Sequence, residues 1–168
     1  MSRRAAILGL GRRGEAWAAL CLKAGWDVHS FDPAPSTASA VARLPGLFSA
    51  GTISGAVRGA ELVICSVPDR LELIQMVLKR VQAEASPEAV IGVASAGHDI
   101  EAIQTCSFRS GQIIRLVEPE AQGVAYDITD RNPPEMRQRA ERLAAELAAV
   151  LSFVPPPEDR QEWDAESA

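Results

Sequence analysis

Short runs of consecutive apolar residues alternate along the chain with longer segments in which apolar residues recur every three or four positions. A strand that is buried on both faces needs apolar side chains throughout, so each continuous run predicts a β-strand. These strands are expected over residues 4–8, 26–31, 61–67, 89–94 and 112–117, with shorter ones over 47–49 and 151–154.

The segments with helical spacing predict the helices that connect these strands. They are expected over residues 13–24, 37–43, 68–85 and 132–150, and the segment 36–60 is otherwise ambiguous. Asp69 is expected to cap the third helix by accepting a hydrogen bond from a backbone N–H of its first turn, where Glu72 also lies. The last helix carries an apolar stripe made of Met136, Ala140, Leu143, Leu147 and Val150.

Strands and helices that alternate at this spacing indicate parallel strands joined by crossover helices. The sequence therefore predicts a single α/β domain over residues 1–154, with a doubly wound, mainly parallel sheet of the Rossmann type. Residues 155–168 begin with three prolines and contain five acidic residues and one arginine, so a proline-rich acidic tail is expected after the domain.

Composition narrows the range of possible functions. The 168 residues are 47% hydrophobic and 23% charged, which suits a folded domain with a core. A net charge of −5 offers no general attraction for nucleic acid or an anionic membrane, and no apolar run approaches the ~18 residues of a membrane helix. We therefore expect a cytoplasmic protein without nucleic-acid or membrane partners. Cys21, Cys65 and Cys106 lack metal-ligand spacing and are expected to be buried free thiols, and no metal site is predicted.

The most specific motif is the stretch Gly9-x-Gly11-x-x-Gly14 between the first strand and the first helix. In a dinucleotide-binding turn of this kind, the first glycine permits the tight turn, the second lets the backbone approach the pyrophosphate, and the third allows close packing of helix and strand. The pyrophosphate would lie at the amino end of the helix, where backbone N–H groups favour an anion. Asp32 ends the second strand, where its carboxylate can accept hydrogen bonds from ribose hydroxyls and repel a 2′-phosphate. The motif therefore predicts NAD(H) rather than NADP(H).

The predicted cofactor site covers this turn, the end of the second strand and the loop after the fourth strand. Its residues are Gly9, Leu10, Gly11, Arg12, Arg13, Gly14, Asp32, Val67 and Pro68. Two interpretations stay open for Arg12 and Arg13, which either point into solvent or contact a phosphate. The alternative for the whole motif is a turn that only packs, with Asp32 as a turn residue before Pro33.

Two segments resemble a known family. Residues 5–33, AAILGLGRRGEAWAALCLKAGWDVHSFDP, resemble the opening βαβ unit of the 3-hydroxyacyl-CoA dehydrogenases, whose relatives include L-carnitine dehydrogenase and the λ-crystallin/gulonate dehydrogenases. Residues 60–97 are similar to that family's fourth strand, following helix and fifth strand. The resemblance covers most of residues 4–154 and implies an NAD-dependent oxidoreductase of fatty acid metabolism. Other two-domain dehydrogenases, such as the β-hydroxyacid group, share the first thirty or so residues nearly as well.

The sequence departs from this family where the resemblance would place its catalytic groups. Ala96 takes the position of the serine that contacts the substrate hydroxyl, and Val117 takes that of the histidine general base. If that segment is instead deleted, Glu118 matches the glutamate that orients the histidine. The family's Pro-Glu pair becomes Pro68-Asp69, and the lysine of the following helix becomes Ile74.

Two histidines remain as candidate proton donors. His98 follows the fifth strand at the edge of the sheet where ligands bind, so it could act as acid and base with Ser95 as a helper. The alternative is an ordinary loop histidine. His29 is expected to be a strand residue with a local partner.

Two functions stay open at this point. One is an NAD-dependent dehydrogenase of the hydroxyacyl-CoA type, or its NAD-binding half; the other is a catalytically inactive NAD-binding or regulatory subunit that works with a partner chain.

The family's second, helical domain would begin near the end of these 168 residues. We therefore expect a partner subunit or a homo-oligomer to cover that side, contacting an exposed apolar stripe on the last helix. The alternative is that the tail folds back onto it, with Trp163 as its anchor.

Overall fold

The computed structural model describes residues 3–34, 37–105, 107–118 and 123–151. The strands are β1 (Arg4–Leu8), β2 (Asp27–Phe31), β3 (Leu47–Ser49), β4 (Leu62–Cys65), β5 (Val90–Ala94), β6 (Ile113–Leu116) and β7 (Tyr126–Asp127). The helices are α1 (Arg12–Lys23), α2 (Thr37–Arg43), α3 (Ile53–Val57), α4 (Leu71–Glu84), α5 (Ile100–Gln104) and α6 (Pro134–Leu151), with a 3₁₀ turn at Ser110–Gln112.

The strands form one sheet in the order β3-β2-β1-β4-β5-β6-β7. The first six strands pair in parallel, and β7 adds an antiparallel edge. The chain moves outward from β1 to β2 and β3, and then returns to β4 on the other side of β1. The prediction of a doubly wound, mainly parallel sheet is therefore confirmed. The point of reversal lies between β1 and β4, where the carboxyl ends of the strands form a crevice.

Both faces of the sheet are covered by helices, which explains why the strands have continuous apolar runs. Ala5 and Ile7 of β1 pack on one face, in a core that includes Trp17 of α1 and Leu143 of α6. Ala6 and Leu8 pack on the other face, in a core shared with α3, α4 and α5. Cys21 and Cys65 are buried free thiols as predicted, and burial raises the pKa of each to about 12. Cys106 lies outside the described residues.

Three predictions about individual elements are wrong, and two short helices were not predicted. The third helix begins at Leu71 rather than Pro68, and Asp69 does not cap it. The last helix continues to Leu151, so the strand expected over 151–154 is wrong at its first residue, and its other residues lie outside the described part of the chain. The five-residue helices α3 and α5 were not predicted, because each is too short to show helical spacing.

The apolar stripe of α6 is not exposed, contrary to our expectation. Its residues Met136, Ala140, Leu143 and Leu147 are at most 8% exposed, because they pack against the sheet and α1. This stripe belongs to the core and cannot serve as an interface.

A helix that crosses a membrane must be long and apolar, and none of the helices in the described ranges meets both conditions.

Candidate functional site

The glycine turn lies at the carboxyl end of β1, and two of its glycines are required by the fold itself. Gly9 has a φ of +91°, which other residues rarely adopt, and a Cβ there would overlap the carbonyl oxygen of Ser66 after β4. Gly14 lies in the first turns of α1, and a Cβ there would overlap the carbonyl oxygen of Gly9. These two glycines allow β1, α1 and the β4 loop to approach one another closely.

Gly11 has no such structural reason. Its φ of −71° is accessible to any residue, and a Cβ added there would meet no atom within 4 Å. The open space lies in front of the amino end of α1, where no side chain caps the helix. An anion bound there would meet the positive end of the helix dipole and the backbone N–H groups of the first turn. The turn therefore fits a pyrophosphate, and the exposed Arg12 and Arg13 lie beside this space.

Asp32 lies at the end of β2 and connects this strand to the glycine turn. Its Oδ2 accepts a hydrogen bond of 2.6 Å from the backbone N–H of Leu10, and its Oδ1 accepts one of 2.8 Å from that of Ala34. The carboxylate therefore has a fixed orientation beside the turn. The residues that follow it, Pro-Ala-Pro-Ser, include no basic side chain that could receive a 2′-phosphate.

The loop after β4 forms the other wall of the turn. Ser66 and Val67 lie against Gly9, since a Cβ on that glycine would contact both residues. Pro68 follows and is exposed. The predicted cofactor residues from β1, β2 and β4 thus lie together at one edge of the sheet.

Asp69 is the residue whose role we predicted incorrectly. Its Oδ1 accepts a hydrogen bond of 2.6 Å from the Ser95 hydroxyl, and its Oδ2 accepts bonds from the backbone N–H groups of Gly97 and Ala96 at 2.8 and 3.2 Å. Burial alone would raise the pKa of Asp69. The hydrogen bonds from Ser95, Gly97 and Ala96, together with the nearby His98, outweigh that effect and hold the pKa below its ordinary value.

The candidate catalytic residues Ser95 and His98 both belong to this cluster. Ser95 is 4% exposed and donates its hydroxyl proton to Asp69, while its oxygen accepts a hydrogen bond from the backbone N–H of His98. The Nε2 atom of His98 lies 3.4 Å from the carbonyl oxygen of Asp69 and 3.7 Å from its Oδ1. The Ser95 hydroxyl is thus engaged in holding the loop, whereas the His98 ring lies at the surface of the cluster.

The other two candidates lie apart from this cluster. Glu118 follows β6 at the same edge of the sheet and is exposed. His29 lies on β2, where its Nε2 is 3.2 Å from both carboxylate oxygens of Asp27, so the expected local partner is present.

Arg115 also supports the site and was not recognised from the sequence. Its Nη1 donates a hydrogen bond of 2.9 Å to the carbonyl oxygen of Ser95, and its Nε donates one of 2.7 Å to Asp127 of β7. The available signal was its position as the single charged residue within the apolar strand β6.

A cavity of about 340 Å³ opens at the opposite, amino-terminal edge of the sheet. Its charged lining residues are partly paired, with Arg3 lying 3.8 Å from Glu61 and Arg139 lying 3.8 Å from Glu88. Ligands of doubly wound sheets bind at the carboxyl edge, so we do not assign the nucleotide to this cavity. In the described part of the chain, no group of three metal-ligating side chains could hold a metal ion.

The chain is similar to known NAD-dependent proteins. The sequence profile of the NAD-binding domain of 6-phosphogluconate dehydrogenase matches residues 4–117. The L-carnitine dehydrogenase/betainyl-CoA thioesterase of Ruegeria pomeroyi is 32% identical over 98% of this chain and 37% of that protein. The L-carnitine dehydrogenase of Streptomyces griseus is 31% identical over 67% of this chain and 39% of that protein. The chain therefore spans well under half the length of these relatives.

Solved structures share the fold at lower sequence identity. The 3-hydroxybutyryl-CoA dehydrogenase from Escherichia coli K12 superposes with a TM-score of 0.78 at 18% identity, covering 88% of this chain and 37% of that one. The (S)-3-hydroxybutyryl-CoA dehydrogenase from Ralstonia eutropha has a TM-score of 0.77 at 15% identity, covering 88% of this chain and 62% of that one. At these identities the likeness establishes the fold alone.

Proposed function

The chain belongs to the family of the NAD-binding domain of 6-phosphogluconate dehydrogenase, and from this premise we propose that it is the nucleotide-binding part of a dehydrogenase of the 3-hydroxyacyl-CoA and carnitine type. The resemblance predicted from the sequence and the prediction of NAD as the cofactor are both confirmed by the family match and the curated relatives. The substrate class and the redox activity itself are the proposal.

The observation that carries this proposal is the contrast among the three glycines of the turn. Gly9 and Gly14 are required for packing, whereas Gly11 faces open space at the amino end of α1. Gly51 also faces open space, so the argument depends on the position of Gly11 directly before α1, where a pyrophosphate that passes close to the backbone would account for a glycine. The turn would hold the pyrophosphate, and Asp32 would hold the adenosine ribose. The bound nicotinamide would supply hydride transfer, and this chain's residues would bind and orient it.

We expect NADH to bind more tightly than NADPH by roughly tenfold, because the Asp32 carboxylate would repel a 2′-phosphate. Titration calorimetry with both nucleotides measures the ratio. The Asp32→Asn variant keeps an oxygen that can accept the hydrogen bond from the Leu10 N–H, but it removes the negative charge. The ratio of NADH to NADPH affinity should therefore be smaller in this variant. Asp27→Asn changes the same residue type at the opposite end of β2 and should leave the ratio unchanged. Equal binding of the two nucleotides by the wild-type protein would contradict the role given to Asp32.

A second candidate function is an NAD-binding module without catalytic activity. It is supported by Ala96 and Val117 at the positions where the resemblance places the serine and the histidine. The Ser95 hydroxyl does not replace the family's serine, because it already donates its hydrogen bond to the Asp69 carboxylate. His98 is then the remaining candidate for proton transfer, so the turnover of the wild type and of His98→Ala separates the two functions.

A partner subunit or a second copy of the chain remains part of this proposal. Several residues at the carboxyl edge are exposed, including Pro68, Asp69, Ala96 and Gly97. Hydride transfer requires a site from which water is excluded, so another domain or subunit would have to cover them. We expect sedimentation velocity at micromolar concentration to detect self-association. A strict monomer with and without NADH would argue against a homo-oligomer.

A further inference from the structure

The Asp69 side chain binds the neighbouring loop and does not cap the helix that follows it. An aspartate just before a helix commonly caps it, and losing a cap costs about 1 kcal/mol. In the structure Arg70 occupies the capping position of α4 without a side-chain cap, and Asp69 lies one residue before it. The Asp69 carboxylate instead accepts three hydrogen bonds from residues 95–97.

The loop that Asp69 holds lies on a defined side of the nucleotide turn. Asp32, directly after β2, marks the side of β1 that would receive the adenosine ribose. The pyrophosphate would lie at the amino end of α1, so the rest of the dinucleotide extends to the other side of β1, over the carboxyl ends of β4 and β5. Ser66 and Val67 contact the turn, and Asp69, two residues after Val67, joins the β4 and β5 loops.

We propose that Asp69 is a positioning residue for the nicotinamide half of the bound dinucleotide. By holding Ser95, Ala96 and Gly97, it fixes the β5–α5 loop as one wall of the nicotinamide pocket and keeps the His98 ring beside it. The proposal rests on the proposed function, since it requires that the turn binds NAD(H). The β5–α5 loop packs closely against the Asp69 carboxylate, since a Cβ added at Gly97 would lie 3.1 Å from the Asp69 Oδ2.

The competing explanation is that Asp69 only stabilises the fold. Binding of a cofactor fragment distinguishes this explanation from a role at the nicotinamide end. ADP-ribose contains the adenosine, both phosphates and the second ribose, but it lacks the nicotinamide ring. A purely structural defect would weaken NADH and ADP-ribose alike, whereas a defect at the nicotinamide end would weaken NADH selectively.

The experiment is titration calorimetry of NADH and ADP-ribose with the wild-type chain and the Asp69→Ala variant. We expect NADH affinity to fall about tenfold, or about 1.4 kcal/mol, and ADP-ribose affinity to change less than about twofold. Asp69→Asn keeps one acceptor oxygen and should restore part of the NADH affinity. Asp99→Ala is the matched control, because Asp99 caps α5 through Ala102 at the end of the same loop and makes no bond to the β4 loop. It should bind both ligands like the wild type.

Equal losses of affinity for NADH and ADP-ribose in Asp69→Ala, or an unchanged NADH affinity, would overturn the proposal. A wild-type chain that binds neither ligand would instead refute the proposed function. If Asp69→Ala does not fold, Ser95→Ala removes one of the three hydrogen bonds to Asp69, together with the bond that Ser95 accepts from the His98 N–H. It should show a smaller loss with the same selectivity for NADH, and absence of that selectivity would overturn the proposal as well.

Discussion

The Gly11→Val variant is expected to fold like the wild type and to lose NADH binding by about a hundredfold or more. A Cβ added at Gly11 meets no atom within 4 Å apart from its chain neighbours, so we expect the fold to accommodate valine, whose side chain would occupy the place proposed for the pyrophosphate. The cost to folding should be about 1 kcal/mol, because valine is a poorer residue than glycine at the position before the helix. Titration calorimetry measures the affinity, and thermal unfolding followed by circular dichroism measures the stability.

The other two glycines provide the contrast that makes this result specific. Gly9→Ala and Gly14→Ala would each force a Cβ into a backbone carbonyl oxygen, so each should destabilise the fold by about 3–5 kcal/mol, a large part of a domain's total stability. Ala145→Val adds two methyl groups at an exposed position inside α6, so it should leave NADH affinity unchanged and lower stability by only about 0.5 kcal/mol through helix propensity. Wild-type affinity in Gly11→Val would show that the turn does not hold the pyrophosphate.

The sequence was most informative where one physical requirement dominates a segment. Strands such as β4 and β5 are buried on both faces, so their continuous apolar runs identify them without knowledge of their neighbours. The glycine turn was recognisable for a similar reason, because Gly9 and Gly14 meet the steric demands of close packing between β1, α1 and the β4 loop.

Interactions between segments distant in sequence could not be predicted in this way. Asp69 has a sequence context typical of a helix cap, and only the pairing of β4 with β5 places it within reach of Ser95 and Gly97. The stripe of α6 looked unpartnered for the same reason. Its partners are Trp17 and the β-sheet, whose place beside α6 follows from the topology and not from any local pattern.

The 168-residue polypeptide, purified on its own, is not expected to oxidise 3-hydroxyacyl-CoA or carnitine at a useful rate. The resemblance places Ala96 and Val117 where that family has its serine and its general base, and loss of a general base typically costs ~10²–10⁴-fold. The Ser95 hydroxyl cannot compensate, because it is 4% exposed and donates its hydrogen bond to the Asp69 carboxylate. Poor positioning of the substrate would reduce the rate further. NADH binding should nevertheless be retained, since the glycine turn and Asp32 lie on the other side of the crevice.

The alternative is that His98 has taken over proton transfer for a smaller substrate. NADH absorbance can be followed with a panel of hydroxyacyl-CoAs, carnitine and small hydroxy acids, using wild type, His98→Ala and His29→Ala. The two histidines are the only ones in the sequence, and His29 is paired with Asp27 on β2, so it serves as the matched control. Turnover that is lost in His98→Ala but kept in His29→Ala would show a rebuilt active site. NADH binding without turnover in all three proteins would leave the inactive NAD-binding module as the function of this chain on its own.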